Sequence, residues 1–296
     1  FIYKKRLKRV LFRLKADITI SMLRREINFI TSIKDGSMKI GELQFNRDNY
    51  RDFNTTENSF FLKRWAAKLW MNQLIKNLQK LDKFVVLSKE DFDNWPEIKH
   101  KTYIHNPIEK LPERVSNCES KKVIAAGRFV SQKGFDMLIQ AWALVTSKHP
   151  DWELSIYGNG DKNWYYKQIT DLNLKNCYLF DAVKNINEKY LESSIFAFSS
   201  RFEGFGMVLA EAMSCGIPPV AFSCPCGPKD IIDNNINGIL VEQNNVEELA
   251  NKICFLIENT SIRKKLGAEA RLKSQQFLLE RMADKWNTIF QDTNPI

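Results

Sequence analysis

No apolar run in this sequence reaches the roughly 18 residues needed to span a bilayer, so no transmembrane helix is expected. Its six cysteines (positions 118, 177, 215, 224, 226 and 254) are scattered, with no C-x-x-C pair and no close histidine partner. That argues against a zinc site or a disulfide scaffold, and for a reducing compartment. The dinucleotide fingerprint is missing too: after Gly158-Asn159-Gly160 the sixth position is Asn163 rather than a third glycine, which speaks against a Rossmann dehydrogenase. Nor does the chain open on Met or a signal-peptide pattern; it opens Phe1-Ile2-Tyr3-Lys4-Lys5-Arg6, already inside an amphipathic pattern. What is present is the composition of a folded globular chain: 296 residues, 44% hydrophobic and 27% charged. By length that is about two domains.

Acid is also missing from the beginning. The first fifteen residues carry seven basic groups and no acid, and residues 1–106 are net +10 while residues 107–296 are net −1. Leu7, Val10, Leu11 and Leu14 follow helical spacing, with the basic residues on the other face. Such a helix suits an anionic membrane surface or a phosphate-bearing substrate; equally, it suits a solvated helix packed on its own domain. No recognition motif accompanies the charge, so nucleic acid is not expected as a partner.

The second half alternates strand and helix. Apolar runs at 123–126, 154–157, 177–180, 195–198, 219–222 and 239–241 read as buried parallel strands. A helix is expected over 134–149, with Asp136 in its first turn and Pro150 past its end, and three more at about 246–258, 261–274 and 277–291. In the first half, strands are expected at 18–23, 39–43, 84–87 and 102–105. A long helix carrying Trp65, Leu69, Leu74, Leu78 and Leu81 should precede the third. Residues 106–120, with Pro107 and Pro112, read as a linker. The chain is thus expected to hold two α/β domains, 1–110 with a linker to about 120, and 121–296. The first offers fewer strands, so its beginning is expected to lie outside this sequence.

Four loops after strands of the second domain carry the chemistry, at the end of the sheet where ligands bind in open α/β folds. In Gly127-Arg128-Phe129-Val130-Ser131-Gln132-Lys133-Gly134, a guanidinium and an ammonium together suit a diphosphate. The second loop, Gly158-Asn159-Gly160-Asp161, lets backbone approach a ligand, or is a plain tight turn. The third runs Ser199-Ser200-Arg201-Phe202-Glu203-Gly204-Phe205-Gly206-Met207-Val208-Leu209-Ala210-Glu211; a helix starting near Gly206 offers free amides to a phosphate. Glu203 and Glu211, about two turns apart, suit sugar hydroxyls better than phosphate. The fourth, Cys226-Gly227-Pro228, is another rigid turn before a short helix.

These elements in order (G-R-x4-K-G, the E-x7-E pair within E-G-F-G, C-G-I-P, and G-P-x-x-I-I followed by N-G-I-L-V) make residues 121–291 resemble the donor domain of family-4 retaining glycosyltransferases with the GT-B fold. The C-P-x-G-P variant resembles bacterial enzymes that build lipopolysaccharide, capsule or lipid-linked oligosaccharides. The resemblance implies two Rossmann-like doubly wound domains facing a cleft. It implies transfer of a hexose or N-acetylhexosamine from a nucleotide-diphosphate sugar, usually UDP-linked, to a saccharide or lipid-linked acceptor with retention. By position, Arg128, Lys133 and Glu203 would be catalytic: the two cations hold the diphosphate and Glu203 contacts the donor sugar. Glu211 would take the ribose hydroxyls. Gly127, Gly158, Gly160, Arg201, Gly204, Phe205, Gly206, Met207 and Val208 would complete the donor site, with the amides of Phe205, Gly206 and Met207 forming the phosphate seat, and with no metal and no cofactor. Asp181 replaces a glycine common in relatives and would alter the base pocket; Gln44 stands where relatives often carry a functional histidine, so no catalytic residue is assigned in the first domain. The expected location is cytoplasmic, on the inner face of the plasma membrane if the basic helix docks there. Against this stand three weaker readings: a metal-dependent GT-A enzyme using Asp91-Phe92-Asp93, a UDP-sugar epimerase on the same fold, and a sugar-nucleotide-binding fragment without turnover.

Overall fold

A computed structural model describes residues 2–49 and 61–291, the side chains of 61–64 excepted. The chain divides into two compact units, Phe1–His105 with Met282–Ile296, and Asn106–Arg281.

The first unit runs α1 (Ile2–Leu14), β1 (Ile18–Ser21), β2 (Met38–Leu43), α2 (Phe61–Leu78), β3 (Lys83–Val86), α3 (Lys89–Asp93) and β4 (Lys101–Tyr103). Its strands pair in parallel in the order β1-β2-β3-β4. Alternation along the strands gives the sheet two cores. Leu43, Phe84 and Val86 pack with Leu74, Leu78, Leu81 and Trp95 on one side. Ile40, Val85 and Ile104 pack with Met282 and Ile289 from the last helix of the chain on the other.

Two expectations change here. In α1 the contact line is Leu7 and Leu11; Val10 (38% exposed) and Leu14 (62%) lie together on its flank, facing solvent. In α2, Trp65 and Leu69 are exposed, and Leu81 is buried beyond the helix end. A helix that meets its neighbour along one line buries a narrower stripe than its apolar positions define.

The second unit runs β5 (Lys122–Ala126), α4 (Phe135–Lys148), β6 (Glu153–Tyr157), α5 (Asn163–Asp171), β7 (Cys177–Phe180), α6 (Ile186–Leu191), β8 (Ile195–Phe198), α7 (Met207–Ser214), β9 (Pro219–Phe222), α8 (Pro228–Ile231), β10 (Ile239–Val241), α9 (Val246–Glu258) and α10 (Thr260–Ser274), with α11 (Leu279–Gln291) closing the described chain. The four strands β7 to β10 have the ends read from the sequence, and β5 and β6 begin one residue earlier. All six strands are parallel, in the order β10-β9-β8-β5-β6-β7. Strand order therefore reverses between β5 and β8, and open α/β sheets bind ligands outside the carboxyl ends of strands at such a reversal.

The expected linker is instead part of this unit. Ile108 exchanges backbone hydrogen bonds with Phe277 (2.8 Å) and Leu279 (3.0 Å), and the Ser116 amide donates to Cys215 O at 2.9 Å. The guanidinium of Arg271 donates to Pro112 O at 2.7 Å. At the other end, the stretch from Met282 departs from the expected 121–296 domain, because its apolar side chains fill the second face of the first unit's sheet.

Candidate functional site

The loops after β5 (127–134) and β8 (199–206) flank the reversal. Beside them lies the loop after β6, held against the first by the Gly127 amide donating to Tyr157 O (3.0 Å) and the Phe129 amide to Asn159 O (2.8 Å). Here the glycine of Gly158 is a packing requirement: a Cβ there would sit 1.7 Å from Gly127 O.

The loops after β5 and β8 are tied more densely. Ser199 Oγ donates to Lys133 O (2.9 Å), the Arg201 amide to Gln132 O (2.8 Å), and Gln132 Nε2 to Phe202 O (3.0 Å). These bonds bring together two residues seventy positions apart. Lys133 Nζ lies 2.6 Å from Glu203 Oε1, which also accepts from Ser200 Oγ at 2.6 Å. Glu203 is only 6% exposed, so its charge is held by the ammonium and the hydroxyl rather than by water. Its amide donates to Pro225 O in the fourth loop at 3.1 Å.

Gly206 starts α7 at φ +96°, a conformation glycine adopts without strain. The amides of Gly206, Met207 and Val208 have no acceptor among the described residues. They sit at the positive end of the helix dipole, a ready seat for an anion. Glu211 lies within the same helix, half-buried; burial pushes its carboxyl above the ordinary range, and Lys133 opposes that shift. Among the described residues its carboxylate has no hydrogen-bond partner. Arg128 is exposed, and its guanidinium has no intramolecular ion pair among the described residues. The arrangement thus offers an exposed cation, a paired ammonium, a row of free amides and two carboxylates: the groups needed to hold a diphosphate and hydroxyls together.

Not every expected residue reaches this place. Arg201 is the main departure: its guanidinium makes a two-pronged ion pair with Asp136 in the first turn of α4 and donates to Ser131 O at 2.6 Å, so it works as a strut between loops. Phe205, expected to contribute only its backbone amide, turns its ring into the core, edge-on to Phe277 at 5.4 Å. Gly204 is half-buried, and Gly160 is bridged to Phe129, which keeps the loop after β6 against the loop after β5. Asp181 makes an ion pair with Lys162. Sequence reasoning missed Ser200 as a partner of Glu203 and Asp136 as a partner of Arg201; spacing gives no sign of either. In the first unit, Gln44 donates to Glu42 at 2.8 Å. Asp91 and Asp93 do not form a metal pair: Asp91 is buried, accepting from the Arg47 amide at 2.9 Å, and Asp93 pairs with Lys89 at 2.7 Å.

Residues 108–273 match the family described as glycosyl transferases group 1. An uncharacterized glycosyltransferase of Haemophilus influenzae is 33% identical over 231 residues, covering 74% of this chain and 65% of that protein. The poly(ribitol-phosphate) alpha-N-acetylglucosaminyltransferase of Staphylococcus aureus is 28% identical over 252 residues, covering 83% and 51%. Among solved structures, a mutant of S. aureus TarM in complex with fondaparinux, alpha-GlcNAc-glycerol and UDP superposes with a TM-score of 0.73 at 27% identity, covering 87% of this chain and 51% of that one. The chain spans about half to two thirds of the length of these relatives. With six parallel strands reversing at β5 and β8, the donor-type loops gathered there, and a family match over more than half its residues, the chain belongs to the group 1 glycosyl transferases and has the α/β architecture of their GT-B members.

Proposed function

We propose that the protein is a retaining, family-4-type glycosyltransferase that moves a hexose or N-acetylhexosamine from a UDP-sugar to a hydroxyl of a cell-surface saccharide, a polyol-phosphate polymer or a lipid-linked precursor. One observation carries this reading: Lys133, Glu203, the free amides at the start of α7 and Glu211 converge at the reversal of the sheet, with Arg128 unpaired beside them. The named S. aureus relative supports retention, since an alpha product from an alpha-linked nucleotide sugar keeps its configuration.

In this reading negative charge grows on the departing phosphate as the glycosidic bond breaks. Arg128, Lys133 and the amides interact more strongly with that charge than with the bound donor, which lowers the barrier. Those cations do the work a metal ion does elsewhere, so no metal is needed. Glu211 takes the ribose hydroxyls, and Glu203 the donor sugar. The basic α1, with Ile2, Phe12 and Leu14 exposed beside its cations, fits an anionic membrane surface. Co-sedimentation with anionic but not neutral vesicles tests that part.

The central test is UDP binding followed by UDP release with a panel of UDP-sugars and acceptors. Acceptor-dependent UDP release is expected. Conversion of the donor to its epimer without acceptor would favour the epimerase, and UDP binding with no turnover on any acceptor would favour a binding-only role.

A further inference from the structure

Nearly every buried polar side-chain atom in the described residues has a hydrogen-bond partner. The exceptions are Gln168 Oε1 and Tyr190 Oη. A buried hydroxyl without an acceptor is costly and calls for an explanation. Tyr190 is fully buried on α6, its ring edge-on to Phe196 of β8 at 5.7 Å. The short helix packs against α7. Two groups act electrostatically on the Tyr190 hydroxyl, the Glu211 carboxyl on α7 and the Cys215 thiol just past its end. The thiol turns elsewhere, toward Asn187 O at 3.9 Å. What remains is a buried donor without an acceptor, on a helix packed against the one that carries a half-buried carboxylate with acceptor capacity and no donor.

We propose that Tyr190 is a positioning residue for Glu211: its hydroxyl holds one carboxylate oxygen, after a small side-chain rotation or across one water, so that the other oxygen faces the vicinal diol of the nucleotide ribose. This rests on the UDP-sugar reading above. The chemistry is complementary. A carboxylate can accept from both sides at once, a hydrogen bond to an ionised acceptor is strong, and such a bond favours the ionised form needed to accept from the diol. The groups coupled electrostatically to the carboxyl are Lys133 from the loop after β5, Tyr190 from α6 and Cys215 just past the end of α7.

The experiment measures UDP affinity of the full chain by calorimetry for the wild type, Tyr190→Phe, Glu211→Gln and the double variant, with thermal melts and a pH series. Wild-type binding of UDP is the first reading, and its absence sinks the proposed function rather than this inference. Given binding, Tyr190→Phe should weaken UDP by about tenfold with little change in Tm, because the ring that packs on Phe196 is kept. That loss should vanish in the Glu211→Gln background. Loss of UDP binding on acidification should also set in at higher pH in Tyr190→Phe than in the wild type. A tyrosine needed only for packing moves neither the pH limb nor the coupling. UDP affinity equal to wild type in Tyr190→Phe, or an equal loss with and without Glu211, overturns the proposal.

Discussion

Arg128 and Lys133 belong to one loop, but their surroundings separate them. Arg128 is exposed and unpaired among the described residues, so Arg128→Ala should cut turnover by about a hundredfold with an unchanged melting temperature. Lys133 is paired with buried Glu203. Removing it strands a carboxylate, at a cost of about 3–5 kcal/mol, so Lys133→Ala should lose stability as well as turnover. Equal Tm values for the two variants would show that the pair does not hold the loop. Asp91 gives a second test at this scale. Burial is the main cause that lifts its carboxyl from the ordinary 3.8 to about 6, against the lowering effect of the Arg47 amide and Trp95. A group raised on folding contributes stability that is complete below its unfolded pKa and lost as pH rises through its folded one. The wild type should therefore lose about 3 kcal/mol between pH 4 and pH 6 from this group alone. Asp91→Asn, which cannot titrate, should lack that part of the slope in denaturant unfolding followed across that range.

Among the elements, the strands of the second unit needed no tertiary information: runs such as 195–198 and 219–222 are apolar throughout because both faces of a parallel strand are covered. Helix faces were less legible. Val10 and Leu14 satisfy the spacing in α1 and remain exposed, because the spacing says which residues share a face and not how wide the contact will be. The loops make the strongest prediction here. Gly158→Ala places a methyl group where the Gly127 carbonyl lies, so the loops after β5 and β6 must part. An overpacking cost of about 1–3 kcal/mol and a clear loss of UDP affinity should appear together; a variant with unchanged affinity would show that the close approach does not shape the site.

Over the whole molecule, the residues 106–281 unit carries its own sheet, its own core and all four loops. Expressed alone, it should unfold in one cooperative transition and bind UDP as tightly as the whole chain does, whereas sugar transfer should need the first unit as well. Failure of the isolated unit to bind while the whole chain binds would place part of the nucleotide site outside it. The segment from Met282 onward should prove dispensable for binding, since its apolar residues cover the other unit's sheet.

The amino-acid sequence by itself determined the strand-helix alternation, the positions of the four loops and the candidacy of Arg128, Lys133, Glu203 and Glu211, because these follow from local periodicity, from glycine at turns and from charge type at strand ends. Tertiary structure alone decided which side chains meet. Arg201 looks like one more donor-side cation in a string of residues, yet Asp136, sixty-five positions away, claims it. Residues 106–120 read as a linker from their prolines, yet their backbone partners lie on 215, 277 and 279. Tyr190 gave no signal at all, for a buried hydroxyl is recognised as unsatisfied only when everything around it is in place. Contacts of long sequence separation are fixed by packing, and no local pattern encodes them.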